Sequence, residues 1–278
     1  MKLIHQNYGK AAVRILKVLR SGKKHSVKEL EAQVMLQGKF QAAYTKGDNR
    51  LVVATDSIKN TVNILAKQKL GLVTETFGIV LGTHFLKTYR HVNRVEITLA
   101  EHSWDRISVR KRPHNHSFIE KSAATPFAKV SATRGQITIE SGIEDLLVMK
   151  TTASGFENFL RDEFTTLPET GDRIFATRLK ATWQYRHKPK SYPATNAKIL
   201  ESMLAVFAGN YSPSVQATLF EMGEAALKTA REISRISLAM PNQHCLLVNL
   251  APFGLENQNE LFVPTNEPHG LIEATVSR

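Results

Sequence analysis

The feature that most narrows the fold of this chain is an order of elements that occurs twice. In the first half, residues 11–19 (AAVRILKVL) alternate like a strand, and residues 27–45 continue as a strand up to a Gly-Asp-Asn turn at 47–49. Leu51, Val52 and Val53 read as strand and lead into a helix over 57–68. A second helix fits 74–90, and strands fit 92–100 and 116–122. The second half runs through the same series. Strands fit 129–139 and 145–151, a short helix-like insert fits 154–164, and a strand fits 174–186. Helices follow at 194–208 and 213–231, then strands at 234–239 and 244–250. The parallel is sharpest where helix 74–90 enters VNRVEITLAE and helix 213–231 enters ISRISLAMPN. Two such series in register imply a duplicated α+β unit, 1–135 and 136–278, each an antiparallel sheet with two helices on one face. The other face of each sheet has to meet the partner half or another chain, so the pattern itself predicts oligomerisation.

Charge and cysteine usage bound the partners. The 37 basic and 25 acidic residues give a net charge of +12, which suits either a nucleic-acid surface or a site that attracts small anions. The basic residues are scattered, and the densest group, RISVRKR at 106–112, precedes a Pro-His turn and reads as a solvated loop. No zinc finger or RNA-binding signature occurs, so nucleic acid is not the expected partner. A single cysteine, Cys245, excludes an intrachain disulfide framework and a Cys-rich metal cluster. No run of about 18 apolar residues predicts a membrane span. The basic N-terminus lacks the apolar core of a secretory signal. The final Thr275-Val276-Ser277-Arg278 is not a Ser-Lys-Leu type peroxisomal address. The expectation is a cytoplasmic protein.

Several motifs then fall in a recognisable order: YGK at 8–10, ATDSIKNT at 54–61, GTHF at 82–85 and PHNHSF at 113–118. The long run LLVMKTTASGFENFLRDEFTTLPETGDR at 146–173 follows, then SPSVQAT at 212–218, PNQH at 241–244 and HGLIEATV at 269–276. Together they span nearly the whole chain, and the chain resembles the urate oxidase (uricase) family. The resemblance implies the tunnelling fold (T-fold), two tandem units of antiparallel strands with two helices each, assembling into stacked barrels as a homotetramer with active sites at chain interfaces. It implies oxidation of urate by O2 and water to 5-hydroxyisourate and hydrogen peroxide, with no metal or organic cofactor.

It also implies roles for particular residues. Urate is a flat anionic purine with carbonyls and ring N–H groups, so its site needs a planar donor fork, an amide edge and an aromatic surface. The family pattern puts the fork at Arg173, the amide at Gln216, the stacking ring at Phe156 and a backbone contact at Val215. Arginine suits the role because its rigid geometry makes two parallel bonds to one ligand edge. Lys10, Thr55 and His244 are implied as a proton relay, in which Lys10 would need a lowered pKa to accept a proton. Asn242 is implied in holding O2 and then water above the ring. The main-chain N–H groups of Thr55 and Asp56 are implied as urate donors, from a joint that reaches into a neighbouring chain's pocket. Taken without the family, each residue has an ordinary reading. Arg173 is a surface charge after a turn, Gln216 a solvated helix residue, Phe156 a core aromatic, Lys10 a solvated charge, Asn242 a turn residue, and Thr55 or Asp56 a helix cap.

Other signals point to packing. His114 and His116 could be two metal ligands on one side of a strand, but no third is nearby, so a structural role is favoured. Cys245 is expected in the core, on the face opposite His244. Trp104 and Trp183 read as packing residues. Competing readings are a related T-fold enzyme for another purine or a pterin, and a binding or scaffold protein with a decayed site. The first would grip an amino-guanidine edge with a carboxylate. The second conflicts with the family's residue type standing at every matched position.

Overall fold

The computed structural model describes residues 1–121 and 124–278 and resolves into two compact units. Unit 1 comprises Met1–Gly142 with Gln184–Pro193, and unit 2 comprises Ile143–Trp183 with Ala194–Arg278. The class is α+β, as the repeated pattern implies. In unit 1 the strands β1 (Tyr8–Ser21), β2 (Lys24–Gly38), β3 (Val92–His102) and β6 (Thr125–Thr133) are neighbours in that order, each pair antiparallel. Helices α1 (Gln41–Lys46), α2 (Thr55–Lys69) and α3 (Thr74–Thr88) lie between β2 and β3 in the chain. A separate hairpin pairs β4 (Trp104–Val109) with β5 (Arg112–Glu120). Strand β7 (Ile137–Lys150) starts in unit 1 and continues into unit 2, where the order is β7, β8 (Phe175–Tyr185, its last two residues counted with unit 1), β9 (Ile233–Leu247) and β10 (Phe262–Ser277), with helices α4 (Tyr192–Gly209, its first two residues counted with unit 1) and α5 (Val215–Thr229) between β8 and β9 in the chain.

The alternation of each strand decides what it buries. Leu30, Ala32, Val34 and Leu36 of β2 are all wholly buried, and Val95, Ile97 and Leu99 of β3 join them. The α2 residues Ile58, Val62, Leu65 and Ala66 recur at helical spacing and close over this layer. Helix α3 comes closest. A Cβ on Gly78 would stand 2.7 Å from Val130 Cγ2, and one on Gly82 would stand 2.9 Å from the Ala132 Cβ. Unit 2 does the same with its own residues: a Cβ on Gly223 of α5 would stand 2.7 Å from Val276 Cγ2 of β10.

The duplication extends to strand register and helix ends. Arg94 faces Thr133 and Val95 faces Ala132 across β3 and β6; Arg235 faces Ser277 and Ile236 faces Val276 across β9 and β10. At the end of β6, the Arg134 guanidinium donates to the carbonyls of Leu86, Tyr89, Arg90 and Val92 as α3 finishes. At the end of β10, Arg278 donates likewise to the carbonyls of Leu227 and Ala230 at the end of α5 and of Ile233 after it. A cation at a helix C-terminus satisfies free carbonyls and opposes the dipole.

Several boundaries differ from the pattern reading. The strand expected over 27–45 ends at Gly38, where the chain folds so tightly against His91 that a Cβ would lie 2.3 Å from the His91 carbonyl oxygen. Phe40 then tucks into the core, and 41–46 form α1, stopped by Gly47 in the left-handed region. Residues 51–53 are not a strand. The break expected in the 140s is a positive φ at Asp145 inside the single strand β7; the actual turn lies at 134–136. RISVRKR is not a loop: it supplies most of β4 and the turn of a hairpin, with Arg110 and Lys111 both at positive φ. The strand expected over 116–122 belongs to β5; Ser122 lies outside the described residues. The insert at 154–164 is not helical, because Asp162 turns the chain by accepting from the Phe164 N–H and the Thr165 hydroxyl. Strands 234–239 and 244–250 are one strand, β9, and β10 has no counterpart among the expected strands. Trp183 is buried as expected, but Trp104 stands 37% exposed, its indole N–H donating to Glu29. Cys245 is half-buried rather than in the core, in the part of β9 after Met240 where no residue is fully buried. Among the described residues, no helix is long and apolar enough to cross a membrane.

Candidate active site

The candidate residues fall into three groups, one in unit 1 and two in unit 2. The first is the joint before α2. Tyr8 and Lys10 are two apart on β1 and share a side of the strand. The strand bulges directly after Lys10, where Ala12 takes a positive φ of 54°. Ala54 is the N-cap of α2 and has no side-chain cap; Thr55 and Asp56 are its first two residues, both exposed. The capping reading of Thr55 and Asp56 is therefore incorrect. Their N–H groups lie in the first turn of the helix, which carries no internal partner for them and a positive potential. The Asp56 carboxylate accepts from Lys59 and Asn60 instead. It is held below its ordinary pKa chiefly by the Lys59 hydrogen bond and charge, with a smaller contribution from Lys10. Lys10 is thus an electrostatic neighbour of the helix start.

The second group is the irregular segment 151–173 against the start of α5. Gly155 N–H donates to the Ser212 carbonyl at 2.8 Å, and Ser212 N–H donates back to Ala153 at 2.9 Å. Phe156 and Thr170 exchange main-chain bonds of 2.7 and 3.1 Å, and Arg173 N–H donates to Ser154 at 2.7 Å. These bonds set Phe156 and Arg173 side by side: the guanidinium carbon lies 5.3 Å from the Phe156 ring centroid. Phe159 stacks parallel on Phe156 at 4.8 Å. Gly155 is required here, since a Cβ would lie 2.3 Å from the Tyr211 hydroxyl. That hydroxyl donates to the Gly171 carbonyl at 3.0 Å. Asp172 points away, accepting from the Thr152 hydroxyl and the Ala153 N–H.

The result is a half-buried cation with no acid beside it. Among the described residues no carboxylate pairs with Arg173, and its Nε is buried without a hydrogen-bond partner. Burial lowers the guanidinium pKa from its ordinary value, while the nearby Tyr211 phenol pulls the other way. A buried donor of this kind costs free energy unless something accepts from it. Next to this cation α5 begins, with Ser214 capping it through the Ala217 N–H at 3.1 Å. Val215 and Gln216 are its first two residues, Val215 buried and Gln216 exposed.

The third group lies on β9. Asn242 pairs with Gly270 and His244 with Thr265, on either side of an irregularity in β10. The two are two residues apart and share one face. Of His114 and His116, the rings touch edge to face at 4.5 Å. Among the described residues no three His, Cys, Asp or Glu side chains are grouped to hold a metal ion.

Two residues of this site escaped the sequence reading. Tyr8 opens the YGK motif, and Tyr211 precedes SPSVQAT. Tyr8 looks like an ordinary half-buried aromatic and Tyr211 like an exposed one until their hydroxyls are located. The tyrosine two before Lys10 on one strand face was the available signal for the first.

Comparison with known proteins gives a consistent answer. The family described as uricase matches residues 6–131 and 139–273. The uricase of Aspergillus flavus is 41% identical over 98% of this chain and 95% of its own length, and that of the rabbit, Oryctolagus cuniculus, is 39% identical over 100% and 95%. The crystal structure of uricase from Arthrobacter globiformis superposes with a TM-score of 0.95 at 39% identity, covering 100% of this chain and 96% of that one. By sequence over its whole length and by fold, the chain belongs to the uricase family.

Proposed function

We propose that this enzyme oxidises urate with O2 and water to 5-hydroxyisourate and hydrogen peroxide, without a resident cofactor. The observation that carries the reading is the unpaired, half-buried Arg173 over the Phe156 ring beside the start of α5. That arrangement asks for a flat, anionic, hydrogen-bond-accepting ligand. Arg173 and Gln216 grip one edge of the purine, the Val215 main chain adds a contact, and Phe156 covers its face. The first-turn N–H groups of Thr55 and Asp56, supplied by a neighbouring chain, hold the opposite edge. Lys10 takes a proton from urate through the Thr55 hydroxyl, and His244 orients Lys10. The resulting electron-rich purine passes electrons to O2, which Asn242 holds over the ring, giving a hydroperoxide on the purine. Water activated by the same relay displaces the peroxide as H2O2, and one urate, one O2 and one water balance the two products.

Sharing sites between chains fits a homotetramer. Large apolar side chains stand exposed on the strands, among them Leu147 and Met149 of β7, Leu246 of β9 and Leu271 of β10. Such a surface is what a partner chain covers. The test is a mixing experiment with Thr55→Ala and Arg173→Met, each inactive alone. Co-assembled, they regain urate turnover, because some pockets receive an intact Thr55 from one chain and an intact Arg173 from another. Hybrids with no activity above either variant would refute the shared site. A protein sedimenting at 31.1 kDa with full turnover would refute the oligomer.

A further inference from the structure

The Lys10 and Thr55 side chains sit on different elements, and one phenol links those elements. Val53 N–H donates to the Tyr8 oxygen at 2.7 Å, and the Tyr8 hydroxyl donates back to the Val53 carbonyl at 3.3 Å. Both main-chain groups belong to the segment before α2, which has no strand partner to set its position. Two residues beyond Val53 stands Thr55, and two residues beyond Tyr8, on the same side of β1, stands Lys10. The phenol itself is fixed. Its ring meets Phe40 edge to face at 4.8 Å, and Phe40 is 1% exposed. Below it, β1 lies so close to β2 that a Cβ on Gly9 would stand 1.8 Å from the Val34 carbonyl oxygen. Tyr8 pairs with Leu36 and Lys10 with Val34, both wholly buried positions.

We propose that Tyr8 is a positioning residue that sets the Thr55 hydroxyl and the start of α2 at the distance from Lys10 that proton transfer requires. The proposal rests on the relay described above and adds the element that holds its two members in step. A proton passes between groups only over hydrogen-bond distances, so a small drift of the α2 start slows the transfer while leaving the purine grip of Arg173 and Gln216 in place. Burial raises the Tyr8 pKa and the Val53 bond only partly opposes this, so the phenol stays neutral, able to donate and accept, at ordinary working pH.

Tyr8→Phe tests this, because it keeps the ring against Phe40 and removes only the two bonds. The expected result is a fall in kcat for urate of about tenfold or more, with KM changed by less than about threefold. The solvent deuterium isotope effect on kcat rises, since proton transfer becomes slower. In a Thr55→Ala background the same substitution costs under about twofold, because the group it positions is gone. An equal loss in both backgrounds, or a parent-like kcat in Tyr8→Phe, overturns the proposal and leaves the relay standing. A Thr55→Ala enzyme at full rate instead overturns the relay, and the Tyr8 proposal falls with it. Should Tyr8→Phe fail to fold, Tyr8→His, which keeps a ring and a polar edge, goes through the same cycle.

Discussion

Replacing Arg173 with methionine separates a binding role from a structural one, because the two predict opposite outcomes for stability. Methionine keeps the length of the stem and removes the charge. In the binding role, two charge-assisted bonds to urate disappear, worth about 1.5–3 kcal/mol each, or about 3–6 together. This lowers kcat/KM by about a hundredfold to ten-thousandfold. The fold loses little. Among the described residues nothing accepts a bond from Arg173 Nε and no carboxylate pairs with the guanidinium, and the main-chain bond to Ser154 survives the substitution. What is lost is the contact with the Phe156 ring, about 0.5–1 kcal/mol. It is offset by removing a half-buried charge whose burial already lowers its pKa. The net change is within about 1 kcal/mol, which is under about 4 °C in the unfolding midpoint for a chain of this size. The assay pairs steady-state urate kinetics with calorimetry at one protein concentration and one scan rate. Activity within tenfold of the parent would refute the grip. A midpoint more than about 10 °C lower, with activity lost alongside, would show that Arg173 is part of the scaffold.

Other substitutions test the architecture. Arg134→Ala and Arg278→Ala should each destabilise by about 1–3 kcal/mol in denaturant titrations, because each strips the carbonyls at a helix end of their donor. Gly223→Ala should cost about 1 kcal/mol despite the better helix propensity of alanine, since its Cβ meets Val276, and Val276→Ala in the same chain should relieve that cost. For pH, burial pushes the Glu29 carboxyl up, but hydrogen bonds from Arg14 and Trp104 outweigh it and leave the pKa below the ordinary 4.5. The unfolded chain therefore binds this proton first. Glu29 contributes stability above pH 4.5 that is lost as pH falls through its folded value, and Glu29→Gln should flatten the acid limb of the stability profile.

The fold was legible where burial follows a simple period. The periods of helices 74–90 and 213–231 and of the strand after the first match α3, α5 and β3 to within two residues, and the start of β9 as closely, because their apolar faces are set by one sheet each. Boundaries failed where backbone geometry overrides alternation. Asp145 takes a positive φ inside β7 and breaks its period without ending it. Gly38 ends β2 through a close approach to His91 that no local pattern encodes. The hairpin at 104–120 was lost because its turn residues are Arg110 and Lys111, which adopt positive φ without the glycine that would announce it. For the site, motif order singled out Arg173, Phe156 and the start of α5. Tyr8 shares a strand face with Lys10, but its bond to the main chain of Val53, 45 residues away, has no local pattern to announce it. A side chain that acts on a distant backbone leaves no periodic trace in the sequence.

Cofactor-free urate oxidation is measured by turnover of the chelator-treated, assembled parent enzyme in metal-free buffer, followed simultaneously by urate absorbance, oxygen electrode and peroxide assay. Cofactor-free oxidation gives equal amounts of urate lost, O2 consumed and H2O2 released, at a rate unchanged when metal ions are added back. An assembled protein that leaves urate intact, or that turns over only after a metal is restored, would contradict it.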